Sequence, residues 1–158
     1  MLFRAFDLPQ IRFNSRRFQF TRARRYDRPL SIVVLDIDLF KRVNDNFGHP
    51  VGDEVIRLVA NVLNGRARGG DTQARLGGEE FAVVMPETGI SGAIALAEEL
   101  RKAVHERAVD LGNAEVRVTI SAGCAELTPE DVTALDLYTR GDRKLYDAKH
   151  GGRDRVAW

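Results

Sequence analysis

The sequence contains one cysteine, Cys124, so no disulfide can form within the chain, and the usage suits a reducing compartment. The apolar neighbours of Cys124 (Ile120, Ala122 and Ala125) mark it as a small core residue rather than a reactive thiol. No apolar run approaches the ~20 residues of a bilayer-crossing helix. The opening Met1-Leu-Phe-Arg-Ala-Phe is too short for a secretory apolar segment. An excess of one charge is also missing, since 24 Lys and Arg stand against 23 Asp and Glu. A dedicated nucleic-acid binder usually carries a large basic surplus, so that class is disfavoured. Internal repeats and low-complexity stretches are absent as well. The expectation is a cytoplasmic chain with no integral membrane segment.

What is present is enough for one folded unit. A chain of 158 residues with 44% hydrophobic residues can bury an ordinary core without staples. Leu30-Ser-Ile-Val-Val-Leu-Asp-Ile is a β-branched run of the kind found in buried central strands. It is preceded by an Arg-rich helix over 14–26, with Phe18, Ala23 and Tyr26 as inward candidates, and by a poorly ordered entry segment over 1–10. Downstream, helices are expected over 39–47 and 51–64, with Asp53 and Glu54 in the first turn of the second. Two extended runs around Gly77-Gly78 read as a hairpin, followed by a helix over 91–107. Residues 115–123 alternate as a half-buried strand, 130–149 form a helix weakened at Gly141, and 155–158 close the chain as a strand. The fold class is α+β, a largely antiparallel sheet covered by helices, with 1–27 as an N-terminal segment and 28–158 as the main domain.

Carboxylates collect where strands end. Asp36 and Asp38, two residues apart, share a face if β structure persists, with the carbonyl of Ile37 between them. Glu79 and Glu80 follow the Gly-Gly turn, and a hairpin beside the 30–36 strand would bring Glu79 near Asp36. Such oxygen-rich clusters suit Mg²⁺, and Gly78 lets a nucleotide approach the backbone closely. Lys41, Lys149 and Arg153 could meet a polyphosphate, and Asn44 and Asp53 a purine edge. Taken singly, each has an ordinary structural reading: Asp38 as a helix N-cap, Asp53 as a first-turn acid, Lys149 and Arg153 as a solvated helix face.

Four segments in order resemble one family. Asp36-Ile-Asp-Leu-Phe-Lys-Arg-Val-Asn-Asp-Asn-Phe-Gly-His-Pro-Val-Gly-Asp, Arg75-Leu-Gly-Gly-Glu-Glu-Phe, Val118-Thr-Ile-Ser-Ala-Gly and Asp142-Arg-Lys-Leu-Tyr-Asp-Ala-Lys-His-Gly-Gly-Arg-Asp are similar to the motifs of GGDEF domains, in the GGEEF form. The resemblance implies an adenylyl cyclase and polymerase palm-like fold and a diguanylate cyclase that condenses two GTP into cyclic di-GMP and two pyrophosphates. It implies Asp36, the carbonyl of Ile37 and Glu79 as ligands of Mg²⁺ (or Mn²⁺), with Glu80 supporting the metal or proton transfer. Asn44 and Asp53 would read guanine, while Phe40, Lys41, Lys149 and Arg153 would border or neutralise the triphosphate. A homodimer would hold one GTP per subunit. Arg68-Gly-Gly-Asp71 resembles the product-inhibition motif, placing cyclic di-GMP on Arg68 and Asp71, although Glu99 stands where an additional arginine is common. Further departures are Gly141 for alanine, Asp154 for asparagine and a degenerate opening motif around Asp7 and Asn14. Two rival readings remain: a catalytically weak receptor or scaffold for cyclic di-GMP, and an N-terminus whose arginines (Arg16, Arg17, Arg22, Arg24 and Arg25) dock on an anionic membrane or a partner.

Overall fold

The run Leu30–Ile37 forms strand β1, and all eight of its residues are buried, which requires cover on both faces. The computed structural model describes residues 11–158, with side chains from Gln19 onward. The expectations placed on residues 1–10, and on the side chains of Asn14, Arg16, Arg17 and Phe18, lie outside the described residues. Helix α1 spans Ile11–Tyr26, followed by β1, α2 (Phe40–Phe47) and α3 (His49–Arg66). The hairpin β2 (Thr72–Gly77) and β3 (Glu80–Pro86) leads into α4 (Ile90–His105). Then come β4 (Val109–Asp110), β5 (Glu115–Val116), β6 (Ile120–Glu126), α5 (Ala134–His150) and β7 (Val156–Ala157).

The main sheet has five strands in the order β2-β3-β1-β6-β7. β1 runs antiparallel to both neighbours, and among the described residues only the β6–β7 pairing is parallel. Alternation along β1 divides the core. Val33, Leu35 and Ile37 pack with Val55, Val59, Ala97 and Leu100 of α3 and α4. Leu30, Ile32 and Val34 pack with Phe20 and Ala23 of α1 and with Leu137 and Leu145 of α5. The α+β class and the largely antiparallel sheet therefore stand, as three layers with helices on both faces.

Several local readings are corrected. Residues 115–123 do not make one half-buried strand; β5 forms a two-stranded ribbon with β4, and β6 starts at Ile120. β6 is buried rather than half-buried because α4 covers one face and α5 the other. α5 begins at Ala134, where Thr133 and Asp136 form a capping box, rather than near residue 130. α3 begins at His49, which moves Asp53 and Glu54 out of its first turn. Tyr26 faces solvent, and Phe20 takes the inward place instead.

Gly141 has a positive role that helix propensity alone conceals. A Cβ on Gly123 of β6 would stand 2.1 Å from the Leu145 nitrogen and 2.2 Å from the Gly141 carbonyl oxygen. A Cβ on Gly141 would meet the methyls of Ile32 and Val34 at 3.1 Å. Two glycines thus let α5 sit directly on the sheet, and this seat carries the far end of α5 to the end of β1.

Candidate functional site

Asp36 lies on the α5 face of β1, in the row begun by Ile32 and Val34, and is 5% exposed. Register pairs Asp36 with Glu80 on one side and Ser121 on the other. The hairpin loop closes over the same end of the strand, since the Ile37 N–H donates to the Glu79 carbonyl at 3.3 Å. The loop residues are Gly78 and Glu79, with Gly78 at φ +46, a left-handed conformation that favours glycine. Arg75 Nε braces the turn by donating to the Gly78 carbonyl at 2.8 Å. From α5, Lys149 Nζ reaches Asp36 Oδ2 at 2.9 Å.

Electrostatics make Asp36 unusual. Burial pushes its carboxyl up to about 6, and Glu79 and Glu80 add to the rise, against the opposing hydrogen bond and charge of Lys149. A desolvated carboxylate among two further acids, offset by one lysine, is a place where a divalent cation is welcome. Among the described residues no group of three or more His, Cys, Asp or Glu side chains is placed to hold a metal ion. Two carboxylates with a backbone carbonyl fit Mg²⁺ without such a group, because Mg²⁺ keeps water and substrate phosphates in its shell. The donor set at this strand end is all oxygen, which suits a hard cation.

The other predicted residues fall into three groups. Phe40 is buried and Lys41 exposed at the start of α2, next to the end of β1. Asn44 lies against α3: its Oδ1 is buried without a hydrogen-bond partner, 2.0 Å from where a Gly52 Cβ would stand. Only glycine fits there, and the buried acceptor has no donor in the fold; Asp53, the residue after Gly52, is exposed. Arg153 is exposed in the turn after α5. Arg68 and Asp71 pair with each other at the other end of the hairpin: Asp71 accepts from the Arg68 N–H at 2.9 Å, with Arg68 Nε 3.7 Å away. Arg68 Nη2 also donates to Thr88 Oγ1 at 2.6 Å, and Glu99 pairs with Arg66.

Asp38 does not cap α2. Leu39 occupies the N-cap position at φ 56, and no side chain caps the helix. The Asp38 carboxylate instead accepts from Thr119 and Ser121 hydroxyls at 2.7 Å each and from the Asp154 N–H at 3.0 Å. Sequence reasoning did not find this network, although Thr119 and Ser121, two hydroxyls at period-two spacing in an apolar run, were its signal. Cys124 is buried, and desolvation pushes its thiol up to about 12, as expected of a core residue. A groove of about 580 Å³ lies elsewhere, between the end of β6, α5 and Trp158, and contains none of the predicted site residues.

Comparison with known proteins identifies the family and the fold. The family described as "Diguanylate cyclase, GGDEF domain" matches residues 12–155. Diguanylate cyclase A of Treponema denticola is 42% identical over 127 residues, covering 80% of this chain and 34% of that protein. Response regulator PleD of Caulobacter vibrioides is 42% identical over 130 residues, covering 81% of this chain and 29% of that protein. The chain thus spans about a third of the length of these curated relatives. Among solved structures, the active GGEEF domain of a diguanylate cyclase from Vibrio cholerae superposes with a TM-score of 0.86 at 37% identity, covering 91% of each chain. The GGDEF domain of DgcB from Caulobacter crescentus, in complex with c-di-GMP, gives 0.88 at 36% identity, covering 92% of this chain and 86% of that one.

Proposed function

The chain belongs to the GGDEF domain family, and we propose that it is a diguanylate cyclase. Two such chains, each holding one GTP, would face one another as a homodimer and join their nucleotides into cyclic di-GMP. In each half-reaction the 3′-hydroxyl of one GTP attacks the α-phosphorus of the other; a P–O bond forms and the bond to pyrophosphate breaks. The catalytic unit is residues 28–158, with 1–27 as the segment leading into it, and the setting is the cytoplasm. Among the described residues no helix is long and apolar enough to cross a membrane.

The observation that carries this reading is the desolvated Asp36 at the lip of the Gly78-Glu79 turn, register-paired with Glu80 and held by Lys149. Asp36, the Ile37 carbonyl and Glu79 would hold Mg²⁺ (or Mn²⁺), which when bound supplies charge neutralisation and alignment of the phosphates. Glu80 stands beside them to support those ligands or accept a proton from the attacking hydroxyl. Lys149 and Arg153 neutralise the triphosphate, with Lys41 and Phe40 along its border. Asn44 and Asp53 accept from the guanine edge, and the buried acceptor on Asn44 is where adenine, lacking the 2-amino group, would leave a polar atom unpaired. Product returns to Arg68 and Asp71 as a brake.

The test is GTP turnover by a forced dimer of the chain compared with the same dimer carrying Glu80→Ala. Cyclic di-GMP formation by the first and its loss in the second is the expected result. Binding of cyclic di-GMP without any synthesis would replace the enzyme with a receptor, and equal turnover by both would remove Glu80 from the reaction.

A further inference from the structure

α5 ends in a strained turn. Gly152, Arg153 and Asp154 take positive φ values of +117, +61 and +44 in succession, and the last two have no glycine's freedom. Consecutive left-handed non-glycine residues persist only where surrounding contacts over-determine them. Here the contacts come from two directions. From the sheet side, Asp38 Oδ2 accepts the Asp154 N–H at 3.0 Å, while Thr119 and Ser121 hold that same carboxylate in place. From the helix side, Arg101 Nη1 of α4 lies 2.9 Å from Asp154 Oδ1, with His105 Nδ1 3.4 Å from Oδ2. Arg101 also meets Glu98, at 3.0 Å. The Arg153 N–H folds back onto the Ala148 carbonyl at 3.1 Å, next to Lys149, whose ammonium meets Asp36.

We propose that Asp38 and Arg101 are positioning residues: by gripping Asp154 from the sheet and from α4, they fix the left-handed turn that follows Lys149 and carries Arg153 to the phosphate side of the site. The inference rests on the proposed GTP-binding reading of that site. Neither residue need touch substrate. Arg101 acts through Asp154, which it meets directly. The phosphate contacts of Arg153 are made alike in the bound and reacting states, so loosening the turn weakens nucleotide binding more than it slows chemistry.

The experiment uses the whole chain with Mg²⁺ and 3′-deoxy-GTP, which lacks the attacking hydroxyl and so reports binding without turnover. Amide exchange at Asp154 is read in parallel. Arg101→Met is expected to weaken binding about fivefold to tenfold, the scale of one charge-assisted hydrogen bond partly lost, and to speed Asp154 exchange about tenfold, with kcat on GTP within about twofold of wild type. On an Asp154→Asn background, Arg101→Met is expected to cost no more than about twofold further, because the charged pair it would break is already gone while the Asp154 position keeps its N–H on Asp38. Glu98→Gln, which frees Arg101 from its other partner only, should bind as wild type does. Wild-type binding and exchange in Arg101→Met would overturn the proposal, as would a full Arg101→Met loss on the Asp154→Asn background, or a Glu98→Gln defect equal to that of Arg101→Met. A wild-type chain that does not bind the nucleotide at all would instead bring down the reading of the site, and this inference with it.

Discussion

The two ends of α5 each hold a buried aspartate, and the two are treated in opposite ways. At the N-terminal end Asp131 meets Arg140 through both carboxylate oxygens, at 3.0 and 2.6 Å, and also accepts from the Thr128 N–H at 2.8 Å. Burial raises its pKa, but the Arg140 fork and Thr128 outweigh that and hold it below the ordinary carboxylate value. At the C-terminal end Asp36 has one lysine, two neighbouring glutamates and a carboxyl pushed up to about 6. The first arrangement closes the turn before α5 and docks α1, whose Arg24 donates to the Asp131 carbonyl. The second leaves a charge unsatisfied. A fully paired carboxylate serves the fold, whereas an under-compensated one is free for a ligand.

The comparison can be broken most sharply by removing each aspartate. Asp36→Ala should lower cyclic di-GMP formation by about two to three orders of magnitude, the scale of losing one preorganised electrostatic group, with little loss of thermal stability. A near-normal rate would contradict the proposed ligand role. Asp131→Ala should do the reverse, costing about 3 kcal/mol in denaturant unfolding while the rate per folded molecule holds. That figure sits at the low end for a broken buried pair because Arg140 is 41% exposed.

Stability against pH should separate them further. Asp36 is raised from 3.8 to about 6, so between those values the folded chain binds the extra proton. Its effect is therefore stabilising in acid and fades as pH rises through 6, by about 2 kcal/mol once solvent screening at the partly exposed Lys149 is allowed for. Asp131 is lowered from 3.8, so its contribution is present above that value and is lost as pH falls through its folded value. Asp36→Asn should flatten the fall between pH 4 and 6 and leave the acid limb untouched. A wild-type profile flat across that window would remove the distinction. The smallest effect belongs to the opposite end of the sheet: Arg68→Ala should leave the initial rate unchanged and raise, several-fold, the product concentration needed for inhibition, as read from progress curves.

Much of this was legible in the sequence because the signals were local and redundant. The β-branched run of β1 and the apolar spacing of α3 and α4 reflect burial against neighbours on known faces. The Gly77-Gly78 turn, likewise, could only join two strands. The strand-end position of Asp36 followed from those elements, whereas its place beside Glu80 depended on the hairpin pairing with β1, which the structure supplies. What could not be read was set by tertiary contact. Asp38 had the composition of an N-cap, yet the Thr119 and Ser121 hydroxyls claimed its carboxylate from across the sheet. Period-two alternation ran unbroken from residue 115 to 123, but β4 captured the first part as a separate ribbon. Gly141 looked like a weakness in a helix, and only the approach of α5 to Gly123 gives it a use. The Lys149–Asp36 contact joins positions remote in the chain, and the spacing of neither residue announces it.

The most direct measurement is a site-resolved carboxyl titration by ¹³C NMR of Asp36 and Asp131 in one sample, with and without Mg²⁺ and 3′-deoxy-GTP. Asp36 should titrate near 6 alone and fall well below its ordinary value once metal and nucleotide are added, while Asp131 stays low throughout. An Asp36 that titrates like Asp131 and ignores Mg²⁺ would contradict the account.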